Sequence, residues 1–207
     1  MKKTILIVLI SALCFSAWAQ EEEQNKRCVS DEIAIGYGFH PVSGDEFLFS
    51  TGPFGHDIDQ VGAFYGAYTH FFNQHFGVGG TYCYDPRKIQ YWYQGLPTNG
   101  VETQVCLLNE SCHSLMGHVK INTVSKKCFT HYVKLDTGLC FWGYKLTEYH
   151  PELFTVECPD KHCCFAWQVA TGIEVGYGPV AGFLQCGIGM EGNYSLGIRY
   201  KFKNSEK

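Results

Sequence analysis

The stretch "SLGIRYKF", residues 195–202, shows the pattern that decides the fold. Its large apolar residues alternate with small or charged ones, and they are Leu196, Ile198, Tyr200 and Phe202. A period of two residues is typical of a β-strand whose two faces meet different surroundings. One face suits apolar surroundings and the other suits water or polar partners, so the fold depends on which face points inward.

Seven further segments of the chain alternate in the same way. We place the eight strands at 33–40, 61–72, 75–84, 114–123, 129–143, 165–175, 180–189 and 193–202. Most are about ten residues long, which is the length that a tilted strand needs to cross a bilayer. The second segment is aromatic on both faces, so the sequence does not assign its phase.

The connections between these segments alternate in length. The first, third and fifth are long and cover 41–60, 85–113 and 144–164, whereas the second, fourth and sixth are short. Long loops at one end and tight turns at the other are typical of transmembrane barrels. The sequence therefore predicts an all-β protein, an eight-stranded antiparallel up-and-down transmembrane β-barrel.

Two phases of this barrel remain possible. In a soluble lipocalin-like carrier the apolar face would line a ligand cavity. In a membrane barrel that face would meet lipid, and two features favour this phase. The polar face is rich in small residues that suit a narrow filled interior, and aromatic residues such as Phe76, Tyr84, Phe129 and Phe141 fall near strand ends, as in interfacial girdles.

The first residues indicate export. A basic start, an apolar run and Ala17-Trp18-Ala19 predict a signal peptide over 1–19. A lipoprotein signal at Cys14 is the less favoured alternative, because Leu13 is large for the preceding position. We divide the rest into a short segment 20–30, the barrel 31–202 and a tail 203–207. The formal charge of −4 becomes −6 without the leader, which argues against nucleic-acid binding.

The end of the chain resembles a known family. The phrases "FAWQVATGIEVGYG", "GFLQCGIG" and "YSLGIRYKF" are similar to the last hairpin region of small eight-stranded outer-membrane proteins of the OmpX and OmpA type. This resemblance implies that Ser195, Gly197, Tyr200 and Phe202 form the C-terminal signal read by the outer-membrane insertion machinery. It also implies an outer-membrane location in a Gram-negative bacterium. The tail after Phe202 departs from the commonest form of that signal.

The predicted lumen contains a set of polar and charged side chains. They are His118, Lys120, Lys134, Asp136, Gln168, Glu174, Gln185, Arg199 and Lys201. Charges in a narrow interior must pair, because an isolated buried charge is costly. We therefore expect an internal network, with Glu174 and Arg199 as one pair, rather than a proton or ion path.

An enzyme is the alternative that "CHSLMGH" raises, because some eight-stranded outer-membrane barrels modify lipid. The segment offers His113, Ser114 and His118, but the spacing does not match a His-x-Ser pair. No residue is identified that would activate Ser114. We predict no catalytic residues and no cofactor.

Ten cysteines follow the leader, and an even number in an exported chain favours disulfides. We place the candidate disulfide cysteines in the long loops; they are Cys106, Cys112, Cys158, Cys163 and Cys164. The spacing leaves their connectivity open. A zinc site at Cys158, His162 and Cys163 or Cys164 is a weaker alternative, so no metal is predicted.

Three consecutive aromatic residues, Tyr91, Trp92 and Tyr93, fall in the second long loop. They either contact a glycan or protein or extend the barrel wall above the membrane.

The hypothesis is a non-enzymatic barrel with a structural or adhesive role, whose partners are membrane lipid, the insertion machinery and a host or envelope molecule at the loops.

Overall fold

Strands cover almost all of the chain that the computed structural model describes, which is residues 29–41, 54–93, 103–149 and 163–203. The nine strands are β1 (Ser30–Phe39), β2 (Phe54–Gln60), β3 (Ala63–Phe71), β4 (Phe76–Tyr93), β5 (Thr103–Lys126), β6 (Phe129–Tyr149), β7 (Cys163–Tyr177), β8 (Val180–Gly189) and β9 (Tyr194–Lys203). The described part of the chain contains no helix long and apolar enough to cross a membrane.

The strands close into a barrel of eight positions. Each strand pairs antiparallel with its neighbours in the order β4-β3-β1-β9-β8-β7-β6-β5, and β5 pairs with β4 to complete the ring. β2 adds no ninth position, because it continues the line of β3 and pairs with the upper part of β4. The predicted eight-stranded antiparallel barrel is confirmed.

The two ends of the barrel differ as the connection lengths predicted. At one end, here called the short-turn end, β3–β4, β5–β6 and β7–β8 are joined by two to four residues. The start of β1 lies there beside the end of β9, with Ser30 opposite Lys203. At the other, the long-loop end, the connections run through 40–53, 94–102 and 150–162, together with the short β8–β9 turn.

The faces have the phase of a membrane barrel. Large apolar side chains are exposed on the outside, including Ile35 at 70%, Ile198 at 63% and Leu115 at 65%. Charged side chains such as Lys134 and Asp136 are buried inside. The alternative phase, with an apolar cavity as in a lipocalin-like carrier, is wrong for this chain.

The structure shows which residues of the aromatic second segment face the lumen. In β3, Tyr65 and Phe71 are buried in the lumen, whereas Phe64 and Tyr68 are about half exposed on the outside. A narrow lumen accommodates the two inner rings because facing positions are small. A Cβ at Gly36 or Gly77 would collide with these rings.

Three strands are longer than the alternation indicated. β4, β5 and β6 contain 18, 24 and 21 residues, and their pairing continues to Tyr93 opposite Thr103. Tyr91, Trp92 and Tyr93 therefore lie in β4 rather than in a loop, and Cys106 and Cys112 lie in β5. Beyond the apolar belt the two faces of a sheet have similar surroundings. Apolar and polar residues therefore need not alternate along a paired strand there.

Candidate functional site

Besides the buried Asp85–Arg87 pair near the long-loop end, the lumen contains two groups of charged side chains, and the first is near the short-turn end. Lys120 Nζ lies 2.5 Å from a carboxylate oxygen of Glu32 and 2.5 Å from one of Glu174. Arg199 Nε donates to Glu174 Oε2 at 2.8 Å. The structure thus brings Glu174 and Arg199 into contact and adds Glu32, which the sequence reading did not include.

The second group occupies the middle of the barrel. Lys134 Nζ lies 3.0 Å from Asp136 Oδ1 and 2.5 Å from Glu191 Oε1. Thr81 donates a hydrogen bond of 2.8 Å to the same Asp136 oxygen. His118 contacts the hydroxyl oxygens of Thr69 and Thr81, at 2.9 and 3.0 Å. These side chains come from β3, β4, β5, β6 and the β8–β9 turn, and the barrel closure brings them together.

Glu191 reaches this group from the β8–β9 turn. The turn folds into the mouth of the lumen, where Glu191 is completely buried. Its backbone N–H donates to Gln168 Oε1 at 2.9 Å, and Gln185 Nε2 donates to its carboxylate at 2.8 Å. Both glutamines were predicted to face the lumen, but Glu191 was missed because turn residues carry no alternation.

The remaining lumen residue from the sequence, Lys201, has a different environment. Its ammonium lies 4.8 Å from the centre of the Phe71 ring, and the residue is only partly buried. Tyr132 also faces inward and donates to Gln185 Oε1 at 3.0 Å. The lumen is a polar core with aromatic walls.

Little open space is left among these side chains. A cavity beside the first group has a volume of about 20 Å³ and is lined by Glu32, Lys120, Glu174 and Arg199, among others. That volume suits about one water molecule. Paired charges and tight packing together make the interior a filled core.

The histidine and serine considered for catalysis point to opposite faces. Ser114 is buried in the lumen, and its Oγ is 3.7 Å from Cys112 Sγ. His113 is exposed on the outside, where its Nδ1 is 2.7 Å from the Tyr82 hydroxyl. His118 is inside and contacts threonines. The three side chains therefore do not form one catalytic group.

Three of the cysteines lie together in the lumen near its long-loop mouth. Cys83, Cys112 and Cys140 are buried in one cluster with Met116 and Met190. Cys112 Sγ lies 3.7 Å from Ser114 Oγ, and Cys140 Sγ donates to the carbonyl oxygen of Cys164 at 3.4 Å. Cys112 is therefore part of the barrel interior rather than of a loop, because β5 extends well beyond the predicted strand.

Of the other predicted disulfide cysteines, the structure describes three and leaves Cys158 outside the described residues. Cys163 and Cys164 are exposed at the start of β7. Cys106 lies in β5, and Cys158 and His162 fall outside the described residues. The seven cysteines whose side chains the structure describes form no disulfide with one another. Among the described residues, no three His, Cys, Asp or Glu side chains are arranged to hold a metal ion.

The predicted insertion signal forms most of β9. Ser195 is buried and accepts a 3.0 Å hydrogen bond from Tyr65, and Gly197 faces Phe183 so closely that a Cβ would collide with its ring. Tyr200 and Phe202 lie outside with 44% and 41% exposure, and their rings contact each other at 4.6 Å.

No protein-family model matches the chain, and no curated protein matches its sequence. Solved structures with a similar fold include the attachment invasion locus protein Ail of Yersinia pestis, crystallised with the heparin analogue sucrose octasulfate. It shares 12% identity with a TM-score of 0.41, over 84% of this chain and 97% of Ail. The outer membrane protein OprG of Pseudomonas aeruginosa shares 11% identity with a TM-score of 0.49, over 88% of this chain and all of OprG. These values are too low to transfer a ligand or a role.

Proposed function

We propose that this chain is a non-enzymatic β-barrel of the bacterial outer membrane with a structural or adhesive role. It is exported by a cleaved signal peptide over 1–19 and inserted by the machinery that reads its last strand. Contacts with a host or envelope partner are made at the long-loop end. Disulfides in that region make the contact surface rigid.

The observation that carries this proposal is the distribution of polarity across the barrel wall. The outside presents large apolar side chains around the whole ring, and aromatic residues such as Phe76, Phe129, Phe141 and Phe165 lie toward the two ends. The charged residues are inside and paired. A closed sheet leaves no unpaired backbone edge, which hydrocarbon requires of any β-structure that crosses it.

The lumen supports an anchoring rather than a conducting role. An eight-stranded barrel is just wide enough for side chains to fill it. Here two ion-pair groups and the inward-folded β8–β9 turn occupy that space. A solute would have to separate these pairs to pass.

The long-loop end supports the recognition role. β4, β5 and β6 project beyond the other strands as a paired sheet, with Tyr91, Trp92 and Tyr93 near the end of β4. A rigid sheet holds recognition residues at low entropic cost, which favours binding. The neighbouring connections 94–102 and 150–162 leave from the same edge.

Surface labelling of intact cells tests the location and orientation. A membrane-impermeant amine reagent is applied, and modified lysines are identified by mass spectrometry. We expect a lysine introduced as His40→Lys, at an exposed position of the long-loop end, to be labelled in intact cells. Lys126 and Lys127, exposed at the short-turn end, should be labelled only after the outer membrane is permeabilised. Equal labelling of the two ends in intact cells would overturn the proposal.

The adhesive role is tested with cells that produce the protein or a variant. Replacing Tyr91, Trp92 and Tyr93 with alanine should reduce attachment to surfaces coated with matrix protein or acidic glycan. Tyr177→Ala, an exposed aromatic at the short-turn end, is the matched control. If cells without the barrel fail to attach while both variants attach equally well, recognition must lie elsewhere on the surface.

A further inference from the structure

A groove lies on the outer face of the projecting sheet, directly beyond an aromatic row. The pairing register aligns Tyr84 of β4 with His113 of β5, and His113 with Phe141 of β6. Phe141 is half exposed on the outside of the barrel. These three rings end the apolar belt on this side of the barrel.

The next row on the same face consists of small residues. Pro86, Ser111 and Gly143 are aligned across the three strands. Their short side chains leave a groove of about 360 Å³, bounded below by Tyr84. Gly143 keeps this row low, because a Cβ there would stand 3.0 Å from Ser111 Oγ.

Two lysines border the groove on its far side. Lys88, Asn109 and Lys145 form the third row, and all three line the groove. Adjacent strands are about 4.8 Å apart, so the two lysine backbones are about 10 Å apart, with the asparagine between them. Both ammonium groups can therefore reach one anion held over Asn109 and Ser111.

The acidic groups near the groove do not neutralise it. Asp59 of β2 is opposite Lys88 in the register. Glu110 and Arg87 also line the groove, but both are buried and their opposite charges cancel. Within the described residues, neither Lys88 nor Lys145 has an ion pair within 4.0 Å. With one carboxylate for two exposed lysines on this face, the groove has a net positive charge.

The depth of the lysines matches that of lipid headgroups. Four residues separate Tyr84 from Lys88, which is about 13 Å along a strand and about 9 Å along the membrane normal for a tilt of about 45°. The headgroup layer lies directly outside the hydrocarbon core. Basic residues at this level attract anionic lipids.

We propose that this groove binds a phosphate group of an outer-leaflet glycolipid. Lys88 and Lys145 pair with the phosphate, Asn109 and Ser111 hydrogen-bond to its oxygens, and the acyl chains lie against the aromatic row and the belt below it. The groove opens toward this apolar surface, which favours a lipid over a free anion. The inference rests on the proposed membrane location and adds a specific lipid contact to it.

The test uses the full-length barrel purified in detergent, and folding is checked in each sample by its heat-dependent gel mobility. The probes are bis-phosphorylated lipid A, the same lipid after enzymatic dephosphorylation, and inorganic phosphate as a competitor. Bound lipid is counted by native mass spectrometry. The variant is Lys88→Gln with Lys145→Gln. Its matched control is Lys126→Gln with Lys127→Gln, which removes two exposed lysines at the other end.

We expect wild type and control to retain phosphorylated lipid A and to bind the dephosphorylated form weakly. The variant should lose affinity about 5-fold for each lysine removed, thus about 25-fold in total. Equal retention by variant and wild type, or equal binding of the dephosphorylated lipid, would overturn the proposal. Displacement of the lipid by millimolar inorganic phosphate would show that the groove binds phosphate as such and would overturn the assignment of the bound phosphate to a lipid. If no folded barrel forms in detergent, the proposed membrane location fails first.

Discussion

At the scale of single residues, Lys134 is the most informative position in the lumen. Its ammonium is shared by Asp136 and Glu191, which are both completely buried. Lys134→Met would leave two buried carboxylates without a cation, and we expect a loss of about 3–5 kcal/mol in unfolding free energy. Denaturant titration in lipid vesicles, followed by gel mobility, measures this loss.

Lys201→Met is the control for this variant. Lys201 also faces the lumen, but it is only partly buried. It lies over the Phe71 ring and, among the described residues, has no ion pair within 4.0 Å. Its replacement should cost about 1 kcal/mol or less, as for exposed charges. Similar losses for the two variants would mean that the pairing of Lys134 does not stabilise the barrel.

A second residue-scale expectation concerns Cys112 and Cys140. Both are buried in one cluster near the lumen mouth, on the paired strands β5 and β6 and two positions apart in the register, and exported proteins meet oxidising conditions. We expect a disulfide between them. Two thiols then lose two electrons and two protons to the disulfide of an oxidoreductase, which is reduced to a dithiol.

Peptide mapping of the unreduced protein measures this bond. After alkylation without reductant, the peptides that contain Cys112 and Cys140 should be found linked to each other. Cys186, exposed on the outer face, should carry the alkyl group and serves as an internal control. Full alkylation of Cys112 and Cys140 before reduction would contradict the expectation.

The sequence could indicate which side chains face the lumen, but not all of their partners. Glu174 and Arg199 occur in clear alternating segments, so their common interior position follows from the pattern. Glu32 precedes the first segment as we delimited it, and Glu191 lies in a turn. Neither position is marked by alternation, and only the closed barrel shows that they neutralise Lys120 and Lys134.

At the scale of structural elements, the β8–β9 turn depends on glycine. Gly192 has a φ of 101°, and a Cβ there would lie 2.6 Å from the carbonyl oxygen of Phe39. Gly178, in the β7–β8 turn, has a φ of 75° but nothing within 4 Å of a Cβ. Gly192→Ala should therefore destabilise the fold through both backbone strain and a steric clash with the backbone, whereas Gly178→Ala should introduce only backbone strain.

We expect Gly178→Ala to lose about 1 kcal/mol of unfolding free energy, and Gly192→Ala to lose about 2 kcal/mol more. The comparison uses denaturant titration of both variants under the same conditions. Equal losses would show that the inward position of the β8–β9 turn, and of Glu191 with it, is not tightly fixed.

The extension of β4, β5 and β6 shows the limit of reading elements from alternation. Along the apolar belt each face of the wall has one kind of neighbour, so apolar and polar residues alternate and the strand can be recognised in the sequence. Beyond Tyr84 the chain continues with Asp85, Pro86 and Arg87, where this contrast is absent. Pairing with β5 maintains the strand there, and pairing is a property of two segments rather than of one.

At the scale of the whole molecule, the outer belt gives the clearest expectation. Ile198 is 63% exposed in the middle of β9, and Val61 is 54% exposed at the long-loop end. Arginine at the bilayer midplane costs about 2–4 kcal/mol in a transmembrane barrel, and much less near the interface. Ile198→Arg should therefore reduce folding into vesicles by that amount, and Val61→Arg should cost less than about 1 kcal/mol.

Folding yield and denaturant titration in vesicles of defined lipid measure this difference. A tolerated Ile198→Arg, with stability equal to that of Val61→Arg, would mean that the exposed aliphatic face does not meet hydrocarbon.

The overall architecture was accessible from sequence because closure, strand length and connection length are linked in a membrane barrel. Eight alternating segments with long and short connections in turn leave few other arrangements. The inward fold of the β8–β9 turn and the extra length of β4, β5 and β6 could not be predicted from the sequence, because they follow from contacts between segments distant in the chain.

The central claim is a closed barrel in the outer membrane, and one measurement tests it most directly. Outer-membrane fractions are run on detergent gels with and without boiling. The account expects the protein in this fraction, with the unboiled band migrating faster because the paired barrel resists the detergent. A soluble protein whose mobility does not change on boiling would contradict it.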